Sequence, residues 1–353
     1  MNHSKTYIAI PPGETIKEQL SFRGMSQKEF AVRMGLTEKH VTNLLKGRVK
    51  LTSNVAMRLE SVLGAPAVFW ENLEALYREA LLKVEEENQM EADIEIAKKL
   101  PCSDMVKYGW IPSSKNSFDK VNHLRRFFEV STLCLINDSA INRIACRRFS
   151  SGDKSDYALL AWAQKAKLEA RNRATREINV SGLKKAIPVI RSMSLLSPSV
   201  FCPNLIEVFS DNGVALIFLP HIKSSALHGA SFYDGKKIVV GLTVRGRYAD
   251  IFWFSLFHEI AHIIYGHIGQ ANGTSDNDEK EANLFAGETL IPPEELSRFV
   301  QDGIYTVDSL MRFADCIGID VGILVGRLQR DGVIGYNQFN ALKKKYEIVN
   351  DEV

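Results

Sequence analysis

Over the first quarter of the chain, apolar residues recur at helical spacing between short polar turns. Phe30, Ala31, Met34, Leu36, Val41, Leu44 and Leu45 mark one face of two short segments, Gln27 to Met34 and Glu38 to Leu45. Ser26 and Thr37 stand where N-caps belong, Glu29 gives Ser26 the spacing of a capping box, and Gly35 sits at a C-cap. Two short helices joined by a turn of a few residues with one glycine predict a helix-turn-helix. Ser53 opens a further helix to Leu63. Beyond Pro66 an amphipathic stretch runs from Val68 to Val84 and into the acidic run Glu85-Glu86-Glu87. Between 101 and 200 the spacing of Leu124, Phe127 and Phe128, and of Tyr157, Leu160, Ala161 and Trp162, is again helical. After 205 short β-branched runs, Val214 to Leu219 and Ile238 to Leu242, are bounded by Gly, Asp and Pro and predict strands, and helices return after Asp250. The fold class that follows is mainly α with a small β-sheet. It divides into an all-α helix-turn-helix domain at 1–87, a helical linker or middle region at 88–200, and an α+β domain at 201–353.

A chain of 353 residues with a 45% hydrophobic share can bury more than one core, which excludes disordered, collagen-like and coiled-coil classes. No apolar run reaches the roughly 18 residues needed to cross a bilayer, and no signal-like apolar core follows the N-terminus, so a cytoplasmic protein without a membrane partner is expected. The five cysteines are scattered without a C-x-x-C pair, which argues against a disulfide framework or a Cys-based zinc site and reads as core-filling thiols. The net charge of +2 conceals +4 over 1–83, −4 over 84–100, +9 over 101–200 and −7 over 201–353. A basic front half suits a polyanion. On the second helix of the helix-turn-helix, Lys39, His40 and Asn43 are placed to reach base edges of operator DNA, with Gln27, Lys46, Arg48 and Lys50 holding phosphates. The two-fold symmetry of such operators implies a homodimer.

The strongest chemical signal is His258-Glu259-Ile260-Ala261-His262, inside the apolar stretch Ile251 to Tyr265, which Asp250 is placed to cap and Gly266 to end. On a helix, residues four apart lie one above the other, so both imidazoles reach a single ion. Glu259, at the next azimuth, serves as general base on a metal-bound water. Two imidazoles and a carboxylate on an apolar helix are costly unless a metal satisfies them. Catalytic zinc takes three protein ligands, and Glu281, nineteen residues after His262, is the first choice for the third. Glu281 shares a face with Leu284 and Phe285, an inward apolar stripe, while Glu279 is expected in solvent and Glu288 and His267 are alternatives. His228, Tyr233, Tyr265 and His267 are candidates to stabilise an oxyanion. The run Ile238, Val239, Val240 offers an edge on which an extended substrate would pair, although an ordinary buried strand reads the same way.

With these residues in view, the chain resembles two families. Pro12-Gly13-Glu14, Gly24-Met25-Ser26-Gln27, Val41 to Gly47, and Leu63-Gly64 followed by Phe69-Trp70 resemble the XRE-type domain of HigA-family antitoxins. That resemblance implies a dimeric DNA-binding autorepressor, often beside a cognate toxin. Residues from about 205 to 330 are similar to the ImmA/IrrE zinc metallopeptidases through Gly229-Ala230, Phe252 to His262, Glu281-Ala282-Asn283-Leu284-Phe285-Ala286 and Leu290-Ile291-Pro292. That similarity implies a zincin-like fold, Zn2+ on His258, His262 and Glu281, catalysis by Glu259, and hydrolysis of a specific protein: a repressor, a toxin or the chain itself. The alternative is an antitoxin and autorepressor whose zinc site is structural, sensory or vestigial.

Overall fold

The computed structural model describes residues 3–138, 144–145, 154–223, 225, 227–244, 246–270 and 274–348. They fall into two compact units, Met1–Glu95 and Ile96–Val353. In the first, α1 (Pro12–Phe22), α2 (Gln27–Met34), α3 (Glu38–Leu45), α4 (Ser53–Leu63) and the start of α5 (Ala67–Ala97) surround Ile16, Phe30, Val41, Leu45, Leu59 and Trp70. The caps work as the sequence reads: Ser26 and Thr37 accept from Glu29 N and His40 N, and Gly35 takes φ 60° to end α2. The capping box is half formed, because the Glu29 carboxylate pairs with Arg33 at 2.7 Å. Gly13 is required by close approach, since a Cβ there would lie 2.1 Å from the Leu45 carbonyl oxygen.

Contacts group the chain into two units, and the acidic run continues as helix: α5 passes through it, Val84 is fully buried, and Glu87 accepts from Thr6 N at 3.2 Å and Thr6 Oγ1 at 2.8 Å. Residues 96–200 belong with the C-terminal part. They supply α6 (Cys102–Lys107), α7 (Ser117–Phe128), β1 (Ile144–Ala145), α8 (Lys154–Arg171) and α9 (Val180–Ser192). Trp162 of α8 lies so close over the sheet that a Cβ on Gly241 would be 2.4 Å from its ring.

The rest of the second unit runs α10 (Pro198–Asp211), β2 (Val214–Phe218), β3 (Gly229–Asp234), β4 (Lys237–Leu242), α11 (Ala249–Ile264), α12 (Asp276–Leu290), α13 (Pro293–Asp302), α14 (Val307–Ile317) and α15 (Val321–Arg330). The strands order as β1-β3-β4-β2, with β3 and β4 an antiparallel hairpin and β2 parallel to β4. The hairpin turns through Gly235 at φ 60°. One core of Phe201, Phe209, Val240, Trp253, Phe257 and Leu324 joins the sheet to α10, α11 and α15. Among the described residues no helix is long and apolar enough to cross a membrane. The cysteines depart from expectation: Cys134 and Cys316 are exposed and Cys102 and Cys202 half-buried, while Cys146 lies outside the described residues.

Candidate metal centre and DNA-recognition helix

α11 is apolar almost all round, and twelve of its residues are buried, Glu259 and His262 among them. A helix of this kind belongs inside a domain, so any polar group on it needs a partner there. Asp250 is not the cap expected. Tyr248 holds the N-cap position, and Asp250, in the first turn, is buried against Lys343 at 2.8 Å. Burial pushes the Asp250 carboxyl up, and Lys343 opposes the rise. Gly266 follows the helix at φ 71°, and His267 N donates back to His262 O at 2.9 Å.

The two imidazoles converge as their spacing predicts, Nε2 to Nε2 at 3.0 Å. The carboxylate that meets them is Glu279, whose Oε2 is 3.4 Å from His258 Nε2 and whose Oε1 is 3.6 Å from His262 Nε2. Glu281 is directed elsewhere: its side chain is 52% exposed and lies 3.4 Å from His267 Nε2, with Asp278 alongside. The inward face of α12 is therefore Glu279, Ala282 and Ala286, whereas Leu284, expected on an inward stripe, is exposed. Small residues let α12 lie close to α11, a signal carried by Ala282 and Ala286 rather than by the large apolar residues. Glu288 is exposed. His267 is buried with its Nδ1 3.1 Å from His262 Nδ1. Asn283 Oδ1 lies 3.1 Å from His258 Nδ1, and Thr274 donates to Glu279 at 2.6 Å. Tyr233 and Tyr265, two of the oxyanion candidates, are about half exposed, and His228 is half-buried.

The donor set fits a tetrahedral cation. Zinc bonds near 2.0 to 2.1 Å put neighbouring ligand atoms about 3.3 Å apart, close to the separations here. At His262 and Glu279 the protonation states fit as well. Burial, with His258 and His267 nearby, takes His262 down to about 4 and keeps it neutral. Burial alone would raise Glu279, but His258, Thr274 and His262 bring it down to about 2. Burial works against a charged His258, yet contacts with Glu279 and Glu259 raise it overall. Glu259 is buried with Oε2 unpartnered, and burial pushes it up to about 7 against the pull of His258. Gly229 of β3 makes room for it, since a Cβ there would sit 2.9 Å from Glu259 Oε1.

Ile238, Val239 and Val240 do not form an edge. β4 lies between β3 and β2, both of its hydrogen-bonding sides are taken, and all three side chains are fully buried. A run of consecutive β-branched residues marks a strand covered on both faces.

In the first unit Gln27, Lys39 and Lys46 are exposed, and His40 and Asn43 are half-buried. All but Gln27 belong to α3 or its C-cap, and α3 turns Val41, Leu44 and Leu45 into the core. The structure thus brings Lys39, His40, Asn43 and Lys46 onto one short helix, with Gln27 opening α2.

Comparison with known proteins matches both parts. The helix-turn-helix family HTH_3 matches residues 23–70, and Peptidase_M78, the IrrE N-terminal-like domain, matches residues 250–328. Over 63 residues, 18% of this chain and 67% of the relative, the sequence is 35% identical to the uncharacterized HTH-type transcriptional regulator YddM of Escherichia coli K12. A solved addiction module antidote protein of the HigA family from Coxiella burnetii shares 29% identity, with 24% of this chain and 94% of that one covered and a TM-score of 0.22.

Proposed function

We propose, for a chain that belongs to the helix-turn-helix transcriptional regulators and carries an IrrE-like peptidase domain, a regulator that cleaves a specific protein through a zinc site on α11 and α12. The observation that carries this reading is the convergence of His258, His262 and Glu279 beside a buried Glu259. His258 and His262 would hold the metal through Nε2, and Glu279, rather than Glu281, would be the third ligand. A zinc ion there supplies Lewis acidity and lowers the pKa of bound water. Glu259, buried beside the histidines, would take a proton from the attacking water at its carboxylate and return it to the leaving amine. With His262 Nε2 on the metal side, its Nδ1–H donates to His267 Nδ1, and His267 Nε2–H then faces Asp278 and Glu281. That chain fixes the ring of His262.

In the same reading the first unit binds operator DNA as a homodimer in the cytoplasm. Lys39, His40 and Asn43 meet the bases, and Gln27 and Lys46 meet the phosphates. The protein substrate is a repressor, a cognate toxin or a second copy of this chain.

Metal analysis of the purified protein tests the site. About one zinc per chain is expected in the wild type and in Glu281→Ala, with loss in Glu279→Ala and His258→Ala. Retention by Glu279→Ala with loss in Glu281→Ala would return the third position to Glu281. Glu259→Gln should keep the metal and lower cleavage of the substrate by about a hundredfold or more. Unchanged cleavage would leave a regulator with a structural metal. For DNA, Lys39→Ala and Asn43→Ala should each weaken operator binding about tenfold in a gel-shift titration, the loss of one base contact.

A further inference from the structure

Beside α11 lies a cavity of about 500 Å³, within the range that holds small ligands. Ile251, Phe254, Leu290, Ile291 and Ile323 give it apolar walls. An adjoining hollow shares Phe254, Gly287, Arg327 and Arg330 with it and reaches Asn283, the residue beside His258. Neither hollow is lined by His258, His262 or Glu279.

Its polar groups are unevenly paired. Lys343 is matched by Asp250 at 2.8 Å and Gln329 Oε1 at 3.2 Å. Arg327 and Arg330, in contrast, share the carboxylate of Asp331, at 2.5 Å and 3.7 Å. The Arg330 guanidinium carbon lies 4.1 Å from the centroid of the Phe254 ring, a contact that favours a cation but supplies no counter-charge. Burial and the neighbouring charge of Arg327 push the Arg330 guanidinium down, against the pull of Asp331. Asp250, also at the cavity wall, is nine-tenths buried, and its Oδ1 has no hydrogen-bond partner among the described residues. Glycines keep these groups at the wall: a Cβ on Gly326 would lie 2.1 Å from Asp250 Oδ2, and one on Gly287 would lie 2.8 Å from Arg327 Nη1.

Two guanidiniums on one carboxylate, a buried acceptor without a partner and apolar walls around them describe one kind of molecule. We infer that this cavity binds an apolar amino-acid residue with a free carboxylate and an acylated nitrogen, its carboxylate on Arg330, its N–H toward Asp250 and its side chain among the apolar walls. That chemistry belongs equally to a free N-acyl amino acid and to the C-terminal residue of a peptide. The inference does not rest on the peptidase reading, and its test is run with the metal removed.

The probes are N-acetyl-L-leucine and its neutral amide, titrated calorimetrically into the full chain with and without EDTA. The acid is expected to bind one per chain and about tenfold or more tighter than the amide, the effect of one charge-assisted hydrogen bond. EDTA should leave both affinities unchanged. Arg330→Gln should bring the acid down to the level of the amide, and Arg330→Lys should keep most of the difference. Equal binding of acid and amide, no heat from either, or loss of acid binding in EDTA would overturn the inference, and the comparison in the wild type decides even if Arg330→Gln fails to fold. Acetyl-Ala-Ala-Leu supplies the last arm. Binding about tenfold tighter than acetyl-leucine identifies a peptide C-terminus, and equal binding identifies the free acyl amino acid.

Discussion

Glu259 illustrates how much one buried side chain governs. Its carboxyl is raised to about 7 by burial, so in the metal-free protein it stays protonated where the unfolded chain has already ionised. The penalty for folding with a charged Glu259 begins as pH rises past the unfolded value near 4.5 and is complete above about 7. Glu259→Gln removes that penalty. In EDTA the variant should be more stable than the wild type by about 3 kcal/mol at pH 8 and no more stable at pH 4, read from denaturant unfolding at both pH values. An equal gain at both would mean that the carboxyl is not desolvated. Bound metal should shrink the gain, because a cation beside Glu259 favours its charged form. The identity of this residue was legible from His258-Glu259-Ile260-Ala261-His262, because i,i+4 spacing is a property of the helix alone. The choice between Glu279 and Glu281 was not, since both lie on α12 and only its rotation about its own axis separates them.

That rotation is set at the scale of the element. Ala282 and Ala286 face α11 while Leu284 faces outward, so the closeness of two backbones outweighed the burial of a leucine. Ala282→Leu should therefore act on the site without touching a ligand. It is expected to destabilise the second unit by about 1–3 kcal/mol through overpacking, and to weaken zinc binding about tenfold or more by displacing Glu279. Thermal unfolding and competitive metal titration would read the two effects, and full-strength zinc binding would show that Ala282 does not set the approach. The sheet teaches the same lesson. The run Ile238 to Leu242 was recognisable as a strand, but its place between β3 and β2 depends on partners far along the chain. β3 itself is signalled only by the turn Asp234-Gly235 before the apolar run Ile238 to Leu242, since Gly229 to Asp234 is short and partly polar.

At the scale of the molecule, the two units have cores built from different residues, and the candidate metal site of His258, His262 and Glu279 lies wholly in the second. Removing zinc should act on that unit alone. Calorimetry of the full chain in EDTA is expected to lower the transition of the second unit by about 5 to 10 °C, the consequence of losing a ligand held at about a hundred times its Kd. The transition matching an isolated fragment 1–95 should stay in place. A common shift of both would mean that the units unfold together.

The sequence by itself determined the local features: the caps and turn of the helix-turn-helix, the apolar helix with paired histidines, and the acid beside them. Each depends on spacing within a dozen residues, which the geometry of a helix converts directly into position. The tertiary structure decided what depends on contacts distant in the chain: which carboxylate meets the histidines, that β4 is interior, that residues 96–200 pack with the C-terminal part, and that Arg330 and Asp250 face one cavity. In those cases several residues of the same type compete for one place, and only close packing against a distant element chooses between them.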